Sequence, residues 1–190
     1  MKTALFFGSF NPIHIGHVAI AGYITEFTNT DELWFVVSPQ NPLKEKSQLA
    51  DNQHRLQMVK LAASKYSEKI KVCDVEMDMP QPSYTIDTLK HLVEKYPNRE
   101  FSVIIGADSL ASIEKWKNYN ELLKKHEILV YPRIGYNLKK LSLNYKVRAI
   151  NAPIIEISST FIRGMLNNEK DARYFMPEKA YRYLIENKVY

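Results

Sequence analysis

The sequence predicts one α/β domain in which helices cover both faces of a parallel sheet. Short apolar runs rich in β-branched and aromatic residues alternate with longer segments whose apolar residues recur three and four positions apart. This alternation is typical of parallel strands joined by crossover helices. The chain has 190 residues, enough for one hydrophobic core of ordinary size, so we expect residues 1–190 to form a single domain.

Six apolar runs are predicted to be strands. Each is short, favours extended backbone and is followed by Gly, Pro or a polar cluster. The runs are Ala4–Phe7, Leu33–Val37, Ile70–Val75, Phe101–Ile105, Ile128–Tyr131 and a last stretch within Ala149–Ile157.

Four segments between these runs have the period of a helix. Asp51 is expected to cap the second of them, and Ser83 with Thr85 the third, by accepting hydrogen bonds from unpaired backbone N–H groups. The segments are Gly16–Thr28, Asn52–Tyr66, Thr85–Tyr96 and Asn118–Lys125.

Three further segments complete this interpretation. Pro177–Asn187 starts with a proline at a helix-initiating position, so the region from about 159 to 190 is expected to be a C-terminal helical segment. Ser38–Asp51 contains two prolines and little periodicity, which predicts a long loop. Gly135–Lys146 is polar and basic, which predicts a surface position.

The composition narrows the class of protein. Lys and Arg number 26 against 21 Asp and Glu, a net charge of +5 that favours small phosphates without indicating a nucleic-acid groove. The single cysteine, Cys73, cannot form an intrachain disulfide, and no apolar run approaches the ~20 residues that span a bilayer. We expect a cytoplasmic protein with neither a membrane nor a nucleic acid as partner.

The segment from Gly8 to His17 passes from a buried strand through a turn into a helix. Gly8 lets the backbone approach a phosphate closely. A helix that begins near Ile15 directs unpaired N–H groups and a positive dipole end at the same place. The sequence therefore predicts an anion site here, with Ser9 and Phe10 beside it.

His14 and His17 are three residues apart at this helix start, so both rings project to one side and can donate two hydrogen bonds to one phosphoryl group. Each alone would more often be a packed or solvated helix residue. The pair as metal ligands is disfavoured, because no nearby Cys or further His completes a set, and the helical zinc motif uses four-residue spacing with Glu.

The run from Gly8 to His17 resembles the signature of the HIGH-motif nucleotidylyltransferase superfamily, whose members bind a nucleotide on a Rossmann-like sheet. Three more segments, Ser83–Leu89, Ile105–Leu110 and Glu156–Arg163, make the chain similar to bacterial nicotinate-nucleotide adenylyltransferases from about residue 2 to residue 163. Asn11 departs from the commoner signature, which has aspartate. Asparagine keeps an oxygen acceptor for the turn but lacks the charge.

Ligands in open α/β sheets sit beyond the carboxyl ends of the strands, near the switch in strand order. Hydroxyls, N–H groups and a guanidinium there would bind the phosphates of ATP, and the resemblance assigns Asp108 to the ribose. The alternative is an ordinary helix cap with a surface arginine. The residues expected at these strand ends are Gly106, Asp108, Ser158, Ser159, Thr160 and Arg163.

The second substrate is expected to contact four other residues. Trp116 and Tyr119 offer ring faces on which a pyridine would stack, although both could simply pack in the core. Thr85 supplies a hydroxyl or N–H for a nicotinate carboxylate, or else a helix cap. Lys44 could bind a phosphate, and Arg55 shares that ambiguity, with a solvated side chain as the alternative for each.

The resemblance implies transfer of AMP from ATP to nicotinate mononucleotide, giving nicotinate adenine dinucleotide and pyrophosphate in NAD biosynthesis. Mg²⁺ would be bound mainly through the ATP phosphates, and self-association is compatible with the sequence. One alternative is another small HIGH-motif adenylyltransferase with nicotinamide mononucleotide or phosphopantetheine as acceptor. A non-catalytic nucleotide- or RNA-binding regulator, favoured by the positive net charge, is the other.

Overall fold

The computed structural model describes residues 1–40, 49–66 and 68–190. The described residues form six strands, which alternate with helices along the chain as the sequence predicts. The strands are β1 (Lys2–Gly8), β2 (Glu32–Val37), β3 (Ile70–Cys73), β4 (Glu100–Gly106), β5 (Ile128–Tyr131) and β6 (Arg148–Ala149).

The helices connect successive strands or follow the last one. Short 3-10 turns at Val75–Asp78, Ile113–Lys115 and Arg173–Phe175 supplement them. The α-helices are α1 (Ile15–Phe27), α2 (Asn52–Ala63), α3 (Thr85–Lys95), α4 (Ala107–Leu110), α5 (Tyr119–Lys125), α6 (Leu138–Tyr145), α7 (Ser159–Asn167) and α8 (Glu178–Glu186).

The six strands form one sheet in the order β3-β2-β1-β4-β5-β6, and every neighbouring pair is parallel. The order reverses between β1 and β4, which are hydrogen-bonded neighbours although two strands separate them along the chain. Loops that leave the carboxyl ends of β1 and β4 therefore diverge to opposite sides and leave a crevice between them.

Both faces of the sheet are buried, as predicted. Alternate residues of each strand point to opposite faces, so Phe6 and Phe35 join one apolar cluster while Leu5 and Val36 join the other. The first cluster includes residues of α1, α2, α7 and α8, and the second includes residues of α3, α4 and α5. Helices therefore cover both faces of a Rossmann-like sheet, and the predicted fold class is confirmed.

Several predicted boundaries are confirmed and others are wrong. The first helix begins at Ile15, and Asp51 caps α2 by accepting a hydrogen bond of 2.8 Å from the backbone N–H of Gln53. The third strand ends at Cys73 rather than Val75, where the chain turns into a 3-10 helix. The last strand is Arg148–Ala149, so of the predicted range only Ala149 belongs to a strand, although the Ile150 N–H still donates to the Val130 carbonyl.

One predicted cap is wrong because a tertiary contact outweighs the local pattern. Ser83 and Thr85 do not cap α3: Tyr84 occupies the cap position, and the Ser83 hydroxyl donates to the buried carboxylate of Glu76. The basic segment 135–146 lies at the surface, as predicted, and contains a helix, α6, whose first turn is capped by the Asn137 side chain. Among the helices of residues 1–40, 49–66 and 68–190, none has the length and apolar character needed to cross a bilayer.

Candidate active site

A cavity of about 800 Å³ opens beyond the carboxyl ends of β1, β4 and β5. Its volume is in the range of sites that enclose nucleotides and similar small molecules. The cavity lies at the reversal of strand order, where the fold predicts a ligand. The predicted site residues that line it are Gly8, Ser9, Phe10, His14, His17, Thr85, Gly106, Asp108, Trp116, Ser158, Ser159, Thr160 and Arg163.

The loop after β1 is shaped by close packing of its own residues. A Cβ on Gly8 would lie 2.9 Å from the ring of Phe10, closer than a side chain can approach, so glycine is required there. Phe10 has a φ of 45°, in the left-handed region that a phenylalanine rarely adopts. Its buried ring meets Phe35 edge to face at 5.3 Å, and this packing holds the strained backbone in place.

The two histidines stand together at the start of α1. Their rings stack with centroids 3.6 Å apart, and the backbone N–H of His14 donates to Nδ1 of His17 at 3.2 Å. His14 is the N-cap and His17 takes the place that Glu or Gln has in a capping box. Because Nδ1 of His17 accepts this bond, a neutral His17 carries its proton on Nε2 and can donate it to a ligand.

His14 is a neutral group at physiological pH. It is only 4% exposed, and burial, followed by the positive charge of Arg133, lowers its pKa from 6.5 to about 4. A neutral imidazole donates one hydrogen bond without adding charge. His14 is therefore suited to hydrogen bonding with a phosphoryl oxygen rather than to proton transfer near pH 7.

We expect acidification to destabilise the protein through His14. Between pH 6.5 and 4 the unfolded chain binds the proton that the folded site rejects, so His14's contribution is complete above pH 6.5 and is lost as the pH falls through 4. From pH 7 to pH 5 the expected loss is about 2 kcal/mol. Urea unfolding at both pH values measures it, with His14→Asn as comparison because asparagine is a good N-cap. Equal losses in the two proteins would contradict the assignment.

The cavity gathers polar atoms that the protein itself leaves unsatisfied. Within the described part of the chain, three buried side-chain polar atoms lack a hydrogen-bond partner: Ser9 Oγ, His14 Nδ1 and Arg133 Nε. All three belong to residues that line the cavity. Because an unsatisfied buried polar group costs about 1–3 kcal/mol, their convergence indicates a site that a polar ligand completes.

The loops after β4 and β5 form the opposite wall. A Cβ on Gly106 would collide with the carboxylate of Asp108, so this conformation of the Asp108 side chain depends on the glycine. The Asp108 carboxylate lies 3.6 Å from Nε of Arg133, whose guanidinium covers the ring of Tyr131 at 5.2 Å. Sequence reasoning missed Arg133. The signal was available, because Arg133 follows the carboxyl end of a predicted strand.

The start of α7 completes the wall beside the first loop. Ser158 Oγ accepts from the Phe161 N–H at 3.1 Å, which is the ordinary capping role. Ser159 Oγ donates to the Pro12 carbonyl at 2.9 Å, and Arg163 Nη1 donates to the Asn11 carbonyl at 2.8 Å. These side chains therefore tie α7 to the loop after β1 while lining the cavity.

The far end of the cavity is built around a buried carboxylate. Glu76, 2% exposed, accepts 2.7 Å hydrogen bonds from the hydroxyls of Ser83 and Thr88 and so fixes the start of α3. Sequence reasoning missed Glu76, which no local pattern distinguishes from a surface residue. Lys117 covers the ring of Tyr84 at 4.8 Å, and these two residues line the cavity beside Thr85 and Trp116.

Two predicted residues do not join this group. Tyr119, at the start of α5, packs against the second apolar cluster and is not among the cavity-lining residues, which is the alternative that the sequence left open. Lys44 lies outside the described residues.

Arg55 is neither a phosphate ligand nor a solvated side chain, so both interpretations that the sequence allowed are wrong. It is fully buried, and its guanidinium donates to the carbonyls of Ser9, Ser38, Pro39 and Ala50 at 2.5–3.0 Å. Burial lowers its pKa, yet a guanidinium remains protonated at neutral pH. Arg55 joins the loops after β1 and β2 to α2, and so it supports the cavity from behind.

Comparisons with known proteins agree with this geometry. Residues 5–165 match the family model described as "Cytidylyltransferase-like". A protein of Flavobacterium johnsoniae described as "Probable nicotinate-nucleotide adenylyltransferase" is 50% identical over 192 residues, covering 100% of this chain and 99% of that protein. A Bacteroides thetaiotaomicron protein with the same description is 45% identical, with 98% and 92% covered.

A solved structure shares the fold. The Plasmodium falciparum nicotinic acid mononucleotide adenylyltransferase complexed with NaAD superimposes with a TM-score of 0.83 over 99% of this chain and 96% of its own, at 24% identity. The same enzyme complexed with APC gives 0.82. From the family match and the close relatives together, the chain belongs to the cytidylyltransferase-like family and, within it, to the nicotinate-nucleotide adenylyltransferases.

Proposed function

We propose that this chain transfers the adenylyl group of ATP to nicotinate mononucleotide, forming nicotinate adenine dinucleotide and pyrophosphate. The observation that carries the proposal is the stacked pair His14 and His17 at the mouth of α1, beside the unsatisfied Ser9 Oγ. These side chains, which can donate hydrogen bonds, line one cavity at the reversal of strand order. The nicotinate-nucleotide adenylyltransferase relatives, matched over their full length, support the same reaction.

The reaction needs positioning and charge stabilisation more than it needs a protein nucleophile. A 5′-phosphate oxygen of nicotinate mononucleotide attacks the α-phosphorus of ATP in line, a P–O bond forms, and the P–O bond to pyrophosphate breaks. His14 and His17 donate hydrogen bonds to the α-phosphoryl oxygens as charge develops on them. Because the rings are stacked and capped before substrate binds, little reorganisation is required.

ATP is proposed to occupy the side of the cavity formed by the loop after β1, the turn after β4 and the first turn of α7. Backbone N–H groups at Gly8, Ser9 and Phe10 and at the α7 start face the phosphates, with Arg163 adding positive charge. The negative charge of Asp108 would repel phosphate, so Asp108 is assigned to the ribose. The proposed set is Gly8, Ser9, Phe10, Gly106, Asp108, Ser158, Ser159, Thr160 and Arg163.

Nicotinate mononucleotide is proposed to occupy the far end of the cavity. Trp116 offers a ring face to the pyridine, and Thr85, at the first turn of α3, offers a hydroxyl and an N–H to the carboxylate. Tyr119 has no part in this proposal because it packs outside the cavity. A phosphate contact from Lys44 stays a prediction, as does self-association of the chain.

Mg²⁺ fits this site as an ion that arrives bound to ATP. Over the described ranges, no three His, Cys, Asp or Glu side chains lie close enough together to hold a metal ion. Mg²⁺ is often held by substrate phosphates, one or two carboxylates and water. When bound, the ion would neutralise phosphate charge, and no protein ligand is assigned to it.

Pyrophosphate release tests the proposal directly. The protein is mixed with ATP, Mg²⁺ and one acceptor at a time: nicotinate mononucleotide, nicotinamide mononucleotide or phosphopantetheine. We expect the highest kcat/KM with nicotinate mononucleotide and a dinucleotide product. A higher kcat/KM with either other acceptor would assign the chain to a different adenylyltransferase, and no release with any acceptor would favour a non-catalytic nucleotide-binding protein.

Trp116→Ala is expected to raise the KM for nicotinate mononucleotide by about tenfold while changing the KM for ATP by less than about twofold. Removing the ring deletes binding that the ground state and the transition state share, so kcat should change little. Steady-state kinetics with each substrate varied in turn measures both constants. Equal increases for the two substrates would indicate a general disturbance of the fold instead.

A further inference from the structure

The loop after β1 is held in shape by side chains from distant parts of the chain. Its carbonyl oxygens accept hydrogen bonds from Arg55 at Ser9, from Arg163 at Asn11 and from Ser159 at Pro12, with distances of 2.5, 2.8 and 2.9 Å. Hydrogen bonds to the carbonyls of three residues in one short loop fix the backbone of that loop. The loop carries Ser9 and ends at His14, so its shape sets the position of both.

The Asn11 side chain adds a fourth attachment, and it reaches the last residue of the sequence. Asn11 is 4% exposed, and its Oδ1 accepts from the Ala50 N–H at 3.0 Å and from the Tyr190 hydroxyl at 2.6 Å. The Tyr190 ring packs against the first apolar cluster. One amide oxygen thus joins the loop to the residue preceding the cap of α2 and to the segment that follows α8.

The direction of these bonds is settled by chemistry. A backbone N–H can only donate, so the atom facing Ala50 is the amide oxygen of Asn11. Burial raises the pKa of the Tyr190 phenol, which stays protonated and donates to the same oxygen. An amide oxygen has two lone pairs, and here each has a donor.

We propose that Tyr190 is a positioning residue for adenylyl transfer, holding the loop after β1 in its ATP-binding shape through the Asn11 side chain. Tyr190 is not among the cavity-lining residues, so it acts on the site through its neighbours, and Asn11 is the loop residue that accepts its hydroxyl hydrogen bond. The inference rests on the proposed function for its kinetic consequences. Its structural content, which is that the Tyr190 hydroxyl prepares the ATP side of the cavity, can be tested without turnover.

Tyr190→Phe removes the hydroxyl and leaves the packed ring. We expect the Kd for α,β-methylene ATP, measured calorimetrically, to rise about 3- to 10-fold, which is the effect of losing one ordinary hydrogen bond. The kcat/KM for ATP should fall by a similar factor, while the KM for nicotinate mononucleotide stays close to its wild-type value and the melting temperature falls by no more than about 4 °C.

Tyr183→Phe is the matched control. The Tyr183 hydroxyl lies 2.9 Å from Nδ1 of His54, so this change also removes one phenol hydrogen bond between the terminal region and α2. Within the described residues, the hydrogen bond and the ring contact of the Tyr183 side chain are both to His54 and not to the loop after β1. Unchanged ATP binding in Tyr183→Phe, together with the loss in Tyr190→Phe, would support the proposal.

A double-mutant cycle tests whether Tyr190 acts through Asn11. If Tyr190 acts through Asn11, adding Tyr190→Phe to Asn11→Ala should weaken analogue binding by less than about twofold further. If the two substitutions weakened analogue binding by independent factors that multiply in the double mutant, the proposal would be overturned. Wild-type analogue binding in Tyr190→Phe, or an equal loss of binding in Tyr183→Phe, would overturn it as well. A wild-type protein that binds the analogue but releases no pyrophosphate would reject the proposed function while leaving this test intact.

Discussion

Replacing His17 by alanine is expected to lower kcat by about 10²–10³, the usual effect of removing one preorganised donor from a developing charge. His17 lines the cavity, and because its Nδ1 accepts from the His14 N–H, Nε2 is the ring nitrogen proposed to donate to the α-phosphoryl group. Since the contact strengthens in the transition state, kcat and kcat/KM should fall together, with KM little changed. Steady-state pyrophosphate release by the purified variant measures the effect.

The same residue also caps α1, so a control must separate the two roles. His17→Gln supplies the side chain that a capping box ordinarily uses at this position, and it can still accept from the His14 N–H. We expect Gln to restore the melting temperature that alanine loses but not the turnover. If Gln restored both, or if alanine turned over within about threefold of wild type, the catalytic role would be rejected.

Arg55→Met is expected to destabilise the folded protein by at least about 3 kcal/mol, because four backbone carbonyls lose their donor in a fully buried place. For a domain of this size the melting temperature should fall by roughly 6–12 °C. Methionine fills part of the volume, so the loss reports the missing hydrogen bonds more than a cavity. Calorimetry and urea unfolding measure it.

An exposed arginine provides the comparison for Arg55. Arg182 pairs with Glu178 at 3.2 Å on the surface of α8, and exposed pairs of this kind contribute little. Arg182→Met should therefore shift the melting temperature by no more than about 2 °C. Similar small shifts in both variants would show that Arg55 is not the support that its hydrogen bonds indicate.

The sequence was informative wherever the chemistry is local. Gly8, His14 and His17 lie within one strand-turn-helix segment, where residue spacing alone places both rings at the helix start. The parallel sheet followed from the alternation of apolar runs and helical segments, and Asp51 from an N-cap preference that depends only on neighbouring residues.

The rest of the site depends on contacts between distant residues. Whether Arg55 reaches solvent or four carbonyls is decided by loops that precede it, which no local period reveals. Glu76 is indistinguishable from a surface acid until Ser83 and Thr88 fold onto it. Ser83 was consequently mistaken for a cap. For Tyr119 the sequence left pyridine stacking and core packing both open, because the pattern of α5 does not show which of its faces meets the core.

In the proposed assignment, the two substrates are bound by separate stretches of the chain. ATP is bound by residues within 8–17, 106–108 and 158–163, whereas nicotinate mononucleotide is bound by Thr85 and Trp116. Among the described residues, no stretch is assigned to both substrates. If the assignment holds, substitutions that change the specificity for the second substrate can accumulate without weakening ATP binding. This separation would allow transferases with new substrates to evolve on the same fold.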